Sequence, residues 1–187
     1  MKTLLSAILA LFLSVGCCAA PLRPPPEPVL ASRVIPVFVS SDFSPSYQAD
    51  IQSVLREWNR ILNGHVVLQF VKYWDGEEVV SLDPGLIISR ATGDFADAYP
   101  TLIEGAVAWA DRLGGSVVFV VEERLDPNDA HAVLLHEVGH ILGAKDSKDE
   151  GRIMFHQMSA DMGRSVDNLT RLEVAEYLGL NYYDLAR

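Results

Sequence analysis

The sequence contains only two cysteines among 187 residues, and they lie next to each other at Cys17 and Cys18. A domain that begins after them has no thiol of its own, so an internal disulfide framework is excluded. Basic residues are also scarce, because 15 Lys and Arg stand against 25 Asp and Glu. The net charge of −10 argues against binding to nucleic acid or to anionic membrane surfaces.

Long apolar runs are absent except near the N-terminus, where residues 4–15 are almost all apolar. This run follows Lys2, precedes a group of small residues and is too short to span a bilayer as a mature helix. We therefore predict that residues 1–17 form an export signal. The segment Ser14 to Cys17 resembles a bacterial lipoprotein processing site, which would leave a lipidated Cys17. Ordinary cleavage, giving a soluble secreted protein, is the alternative.

The remaining chain divides into a linker and one domain. Residues 18–32 contain five prolines between positions 21 and 28, a composition typical of an extended spacer. Residues 33–187 are long enough to bury a core of their own. We expect this domain to be exported to the cell envelope or beyond, and to be monomeric.

Apolar periodicity in the domain predicts alternating strands and helices. Five apolar runs have the length of strands and cover 34–39, 66–71, 86–89, 105–110 and 116–121. A helix is predicted from Ser44 to the Asn63-Gly64 stop. Two more helices are predicted to begin at Asp126 and near Thr170, the latter with Glu173 completing a capping box.

One short segment has the clearest chemistry. His136 and His140 are four positions apart, so both imidazoles can face one ion from a helix, and neutral imidazole is a preferred zinc ligand. Glu137 lies beside the first histidine, where it can take a proton from a water activated by the metal. Gly143 can end the helix with a left-handed backbone, and Asp146 then offers an oxygen as the third ligand.

A bare His-Glu-x-x-His pattern also occurs by chance on amphipathic helices, but here a methionine follows at Met154. The combination resembles the metzincin metalloproteases, in which a methionine-containing turn follows the extended zinc motif. The resemblance implies that Met154 packs beneath the metal without binding it. The usual third ligand in that clan is histidine, and Asp146 in its place is similar to the snapalysin-type branch. His156, which comes after the methionine turn, is the alternative third ligand.

The order of predicted elements also resembles the matrixin catalytic domain. This resemblance implies an α+β fold: a mixed, twisted five-stranded sheet with a backing helix, a zinc helix, a methionine turn and a C-terminal helix. It also implies that the strand near 107–110 is the edge along which an extended peptide would pair.

Matrixins hold a second, structural zinc largely through histidines that precede the catalytic helix. This chain has no histidine between His65 and His131, so we expect one catalytic zinc only. Acidic side chains could bind calcium, although loop acids are usually just solvated. The candidates are Asp75, Glu77, Glu78, Asp83, Asp94 and Asp97.

These features predict a zinc-dependent endopeptidase acting on proteins or peptides, with membrane contact only through a lipid at Cys17. The alternative is a secreted zinc-binding or adhesion module whose site is inactive. Glu137 separates the two readings, because a structural zinc needs no carboxylate beside its first ligand. A structural site also tends to close with four protein ligands.

Overall fold

The computed structural model describes residues 33–76, 85–98, 106–111, 117–156 and 163–185. The predicted export signal and linker lie outside these residues. So do three of the calcium candidates, Glu77, Glu78 and Asp83, together with the side chain of Asp97.

Five strands form one mixed sheet in the order β2-β1-β3-β5-β4. The strands are β1 (Arg33–Ser40), β2 (Val66–Trp74), β3 (Leu86–Arg90), β4 (Ala108–Asp111) and β5 (Val117–Val120). Neighbouring strands are parallel except for β4 and β5, which are antiparallel. The predicted α+β fold with a mixed five-stranded sheet is confirmed, and β4 lies at the expected edge.

The first helix, α1 (Pro45–Leu62), has the predicted bounds. The Ser44 hydroxyl accepts a hydrogen bond from the Tyr47 amide at its start, and Asn63 ends it with a left-handed φ of 49°. A short helix, α2 (Gly93–Ala98), and a 3-10 turn at Glu122–Arg124 were not predicted, because elements this short have no full apolar period.

The zinc-motif helix, α3 (Ala130–Ile141), begins later than the prediction of Asp126. The carboxylate of Asp126 accepts from the Asn128 amide at 2.8 Å, and the Asp129 amide donates to the Asp126 carbonyl at 2.9 Å. Asp126 therefore caps a turn, and the helix starts only after it.

The last helix, α4 (Asn168–Leu178), begins earlier than predicted. Asp167 is its N-cap and accepts from the amides of Leu169 and Thr170 at 3.0 and 2.9 Å. The predicted Thr170–Glu173 capping box is therefore wrong, because Thr170 is a buried residue within the first turn. The predicted end at Gly179 is confirmed by its left-handed φ of 70°. A second 3-10 turn, Tyr182–Asp184, follows.

The main core lies between the sheet and the helices α1, α3 and α4. Trp58 of α1 is fully buried in it, and its indole nitrogen donates to the carbonyl of Leu135 in α3 at 3.3 Å. This contact ties the motif helix to the backing helix. A smaller apolar cluster around Trp109, Phe119 and Phe95 lies outside the main core. Within the residues described above, no helix is long and apolar enough to cross a membrane.

Candidate metal centre

Three donor atoms from two neighbouring segments meet at the C-terminal half of α3. His136 Nε2 and His140 Nε2 are 3.0 Å apart, and Asp146 Oδ1 lies 3.7 Å and 3.3 Å from them. Zinc bonds of about 2.0–2.2 Å in tetrahedral geometry place neighbouring donors about 3.3–3.6 Å apart. The three distances average about 3.3 Å and each lies within about 0.3 Å of that range, so the triangle is close in size to the one that a tetrahedral zinc ion requires.

The two rings are oriented by backbone carbonyls. His136 Nδ1 is 2.9 Å from the Ile153 oxygen, and His140 Nδ1 is 3.0 Å from the Ala144 oxygen. A carbonyl only accepts, so each Nδ1 must have the proton, and each neutral ring then turns an unprotonated Nε2 toward the other. Two facing lone pairs at this distance repel unless a cation lies between them. The donor set therefore fits a metal ion.

His136 is held in the ligand-competent form by its surroundings. Burial lowers the pKa of His136 first, and the neighbouring His140 adds to the effect. The hydrogen bond to Ile153 and the charge of Asp146 oppose this shift without reversing it. The imidazole is thus neutral near pH 7, as metal binding requires.

Glu137 lies beside the triangle without being one of its three donors. Its side chain is buried, and the Ala110 amide of β4 donates a hydrogen bond to it. Burial, followed by the charge of Asp146, raises the pKa of Glu137 to about 8, against the lowering effect of Ala110. A buried carboxyl with a pKa near neutrality can accept and return a proton.

Gly143 and Asp146 lie in the loop that follows α3. Gly143 has a φ of +101°, a backbone conformation that favours glycine. A Cβ at this position would lie 2.1 Å from Cγ of Tyr177, whose ring covers the loop from α4. After Asp146, the Ser147 amide donates to the Met154 carbonyl at 2.6 Å, which joins the loop to the segment that contains the methionine.

Met154 is fully buried and packs under α3. A Cβ on Gly139, which lies between the two histidines, would be 2.9 Å from Met154 Sδ. The missing side chain of Gly139 therefore leaves the space that the methionine side chain occupies. The sequence analysis missed this role, although a glycine inside a helix is a recognisable signal of close packing.

The remaining histidines of the α3 region lie apart from the three donors. His156, the alternative third ligand, directs both its backbone amide and Nδ1 at the Ser147 carbonyl, at 3.1 and 3.0 Å. His131 Nε2 is 3.0 Å from Glu57 Oε2 on α1. In the part of the chain that the structure describes, the triangle is the only group of three side chains that could hold a metal.

Calcium binding stays a prediction, since most of its candidate acids are not described.

Like the role of Gly139, the carbonyls of Ala144 and Ile153 that orient the two histidines were missed by sequence analysis. No sequence signal could have found them, because every residue has a carbonyl.

No protein-family model and no curated protein matches the chain. Among solved structures, the chain is similar to archaemetzincin from Methanopyrus kandleri, with 14% identity and a TM-score of 0.54. The match covers 82% of this chain and 99% of that one.

It is also similar to metalloproteinase-II from Bacteroides fragilis, with 11% identity and a TM-score of 0.52. That match covers 79% of this chain and 53% of the other, so the chain spans about half of the Bacteroides protein. At such identities the likeness establishes the fold alone, which is metallopeptidase-like. The finer resemblances to matrixins and to the snapalysin-type branch stay predictions.

Proposed function

We propose that the chain is a zinc-dependent endopeptidase of the metzincin type. The observation that carries the proposal is the donor triangle of His136, His140 and Asp146, with buried Glu137 beside it. A structural zinc site would need a fourth protein ligand. Only three donors meet here among the described residues, which leaves one position for water or substrate.

The chemistry divides between the ion and the protein. Zinc held by His136, His140 and Asp146 would supply Lewis acidity, which activates water and polarises a peptide carbonyl. Glu137 is the general base: it takes the proton of the attacking water and passes it to the amine that leaves when the peptide bond breaks. The Ala110 amide holds the Glu137 carboxylate, and burial keeps bulk water away from it.

Among the described strands β4 is at the edge of the sheet, and its outer side is the proposed binding site for substrate backbone. Val121 donates to the Val107 carbonyl at 2.8 Å, so alternate residues of this strand pair with β5. By that alternation Ala108 directs its amide and carbonyl away from the sheet, and Ala110 directs its carbonyl the same way while its amide is bonded to Glu137. An extended peptide can pair with these groups whatever its side chains, which suits a protein or peptide substrate.

The proposed location follows from the N-terminal sequence. We propose that the protein is exported and anchored through a lipidated Cys17, with the proline-rich linker separating the domain from the membrane. Mass spectrometry of the mature N-terminus should show an acylated Cys17. A free terminus beyond Cys18 would instead indicate a soluble secreted protein.

Two measurements on the purified protein test the function. Metal analysis should find one zinc per chain, and cleavage of casein or a quenched peptide should stop with a chelator and return with zinc. Zinc binding without cleavage would favour the inactive zinc-binding or adhesion module. Absence of zinc binding would contradict both.

A further inference from the structure

Asp146 is the most exposed of the three donors. About 60% of its side chain is accessible to solvent, against 12% for His136 and 18% for His140. The two histidines are fixed by packing on α3 and by carbonyl acceptors. The Asp146 carboxylate has little packing, so its position depends on how the backbone on either side of it is held.

The amides of the two residues next to Asp146 are both hydrogen-bonded, one on each side of it. After it, the Ser147 amide donates to the Met154 carbonyl. Before it, the Lys145 amide donates to Glu173 Oε2 of α4 at 3.0 Å. The second anchor is made by a side chain, so a single substitution can remove it.

Glu173 is itself held in place. Its other carboxylate oxygen lies 3.9 Å from Arg152, which is 13% exposed and also contacts Asp167 and Thr170 at 3.2 Å. Arg152 directly precedes Ile153, whose carbonyl orients His136. The Arg152–Glu173 pair therefore joins the loop of the third donor to the segment that orients the first.

We propose that Glu173 is a positioning residue for the metal centre. It accepts the Lys145 amide and so keeps Asp146 opposite the two histidines, and metal affinity depends on it although it is not one of the donors. The inference rests on the proposed function for the existence of the metal. It assigns Glu173 a role different from the capping box that the sequence predicts.

Three substitutions separate the reach of this side chain from its charge. Glu173→Gln keeps an oxygen at the same distance from the Lys145 amide and loses the charge beside Arg152. Glu173→Asp keeps the charge and withdraws the oxygen by one methylene, and Glu173→Ala removes both. Glu176→Ala is the matched control, because Glu176 is an exposed glutamate on the same helix.

Two quantities are measured on the full chain. The first is the dissociation constant for Zn²⁺, obtained by competition with a chromogenic chelator. The second is the melting temperature of the zinc-free protein. Glu173→Asp and Glu173→Ala should bind zinc about 10- to 100-fold more weakly than the control, the range found for residues that orient metal ligands. Glu173→Gln should bind nearly as tightly as wild type. The proposal would be overturned if Glu173→Asp bound zinc as tightly as the control. It would also be overturned if Glu173→Gln and Glu173→Asp lost zinc affinity equally.

The wild type separates this failure from that of the proposed function. If the wild type binds no zinc, both proposals fail together. If the wild type binds zinc and Glu173→Asp binds it equally well, only the positioning role fails. If Glu173→Ala does not fold, the zinc affinities of Glu173→Gln and Glu173→Asp still decide whether Glu173 has the positioning role.

Discussion

Gly143→Ala should destabilise the protein for two separable reasons. The first is backbone conformation, because φ at Gly143 is +101° and an L side chain at positive φ costs about 1–2 kcal/mol. The second is overlap, because the new Cβ would lie 2.1 Å from Cγ and 2.3 Å from Cβ of Tyr177. Rotation of the ring cannot relieve contact with the Tyr177 Cβ, so α4 must move, and overpacking of this kind costs about 1–3 kcal/mol.

Gly179→Ala is the matched control for the backbone contribution. Gly179 also has a positive φ, of +70°, but a Cβ there would meet nothing within 4 Å. Gly143→Ala should therefore lose more than Gly179→Ala by at least the cost of the overlap, about 1–3 kcal/mol in the free energy of unfolding. For a chain of this size each kcal/mol corresponds to about 2–4 °C in melting temperature.

The assay is denaturant unfolding of both variants in the presence of a chelator, so that metal binding does not contribute to the measured stability. The zinc dissociation constant is then measured separately, and it should rise in Gly143→Ala because the loop joins His140 to Asp146. If both variants unfold with the same free energy, then Tyr177 does not pack on Gly143 and the reasoning fails.

Three further outcomes are expected. Glu137→Gln should keep the fold and one zinc per chain while peptide hydrolysis falls by about 10²-fold or more, and near-normal turnover would contradict its role as base. Asp146→Ala should lose zinc and activity together, and Asp146→His should keep much of the zinc. His156→Ala should bind zinc like wild type. If metal analysis finds that His156→Ala loses zinc and Asp146→Ala keeps it, His156 is the ligand. Burial alone would raise the pKa of Asp167, but hydrogen bonds from Thr170 and the neighbouring Arg152 lower it below its ordinary value. This carboxylate thus adds stability above its unfolded pKa, which is lost as the pH falls through the lower folded pKa. Asp167→Asn should be less stable by about 1 kcal/mol at pH 7, with a gap that closes in acid; a gap independent of pH would disprove the contribution of the charge.

The sequence could predict the donor triangle because its geometry is local. The period of a helix places His136 and His140 on one face, and a glycine turn of three residues can bring Asp146 back to them. The apolar runs likewise predicted five strands, since each is long enough to show its pattern.

Other features could not be predicted, because they depend on competition or on distant contacts. Asp126 has an acceptor suited to a helix cap, and only the fold shows that it closes a turn instead. Glu173 fits a capping box three residues after Thr170, yet its carboxylate bonds to Lys145 across the molecule. The amide of Ala110 reaches Glu137 only because β4 lies over α3, and no property of alanine indicates this.

The joining of Ser147 to Met154 and of His136 to Ile153 has a consequence for the lifetime of the protein. An ion shared by His136, His140 and Asp146 would clamp the end of α3 to the loop after it, and through these bonds to the methionine segment. Metal that binds only the folded chain stabilises it by about 2.7 kcal/mol when present at a hundred times its dissociation constant. In the exported protein that we propose, where other proteases act on loosened chains, loss of the ion would expose this segment to cleavage. Zinc supply would then set how long the protein survives as well as how fast it works.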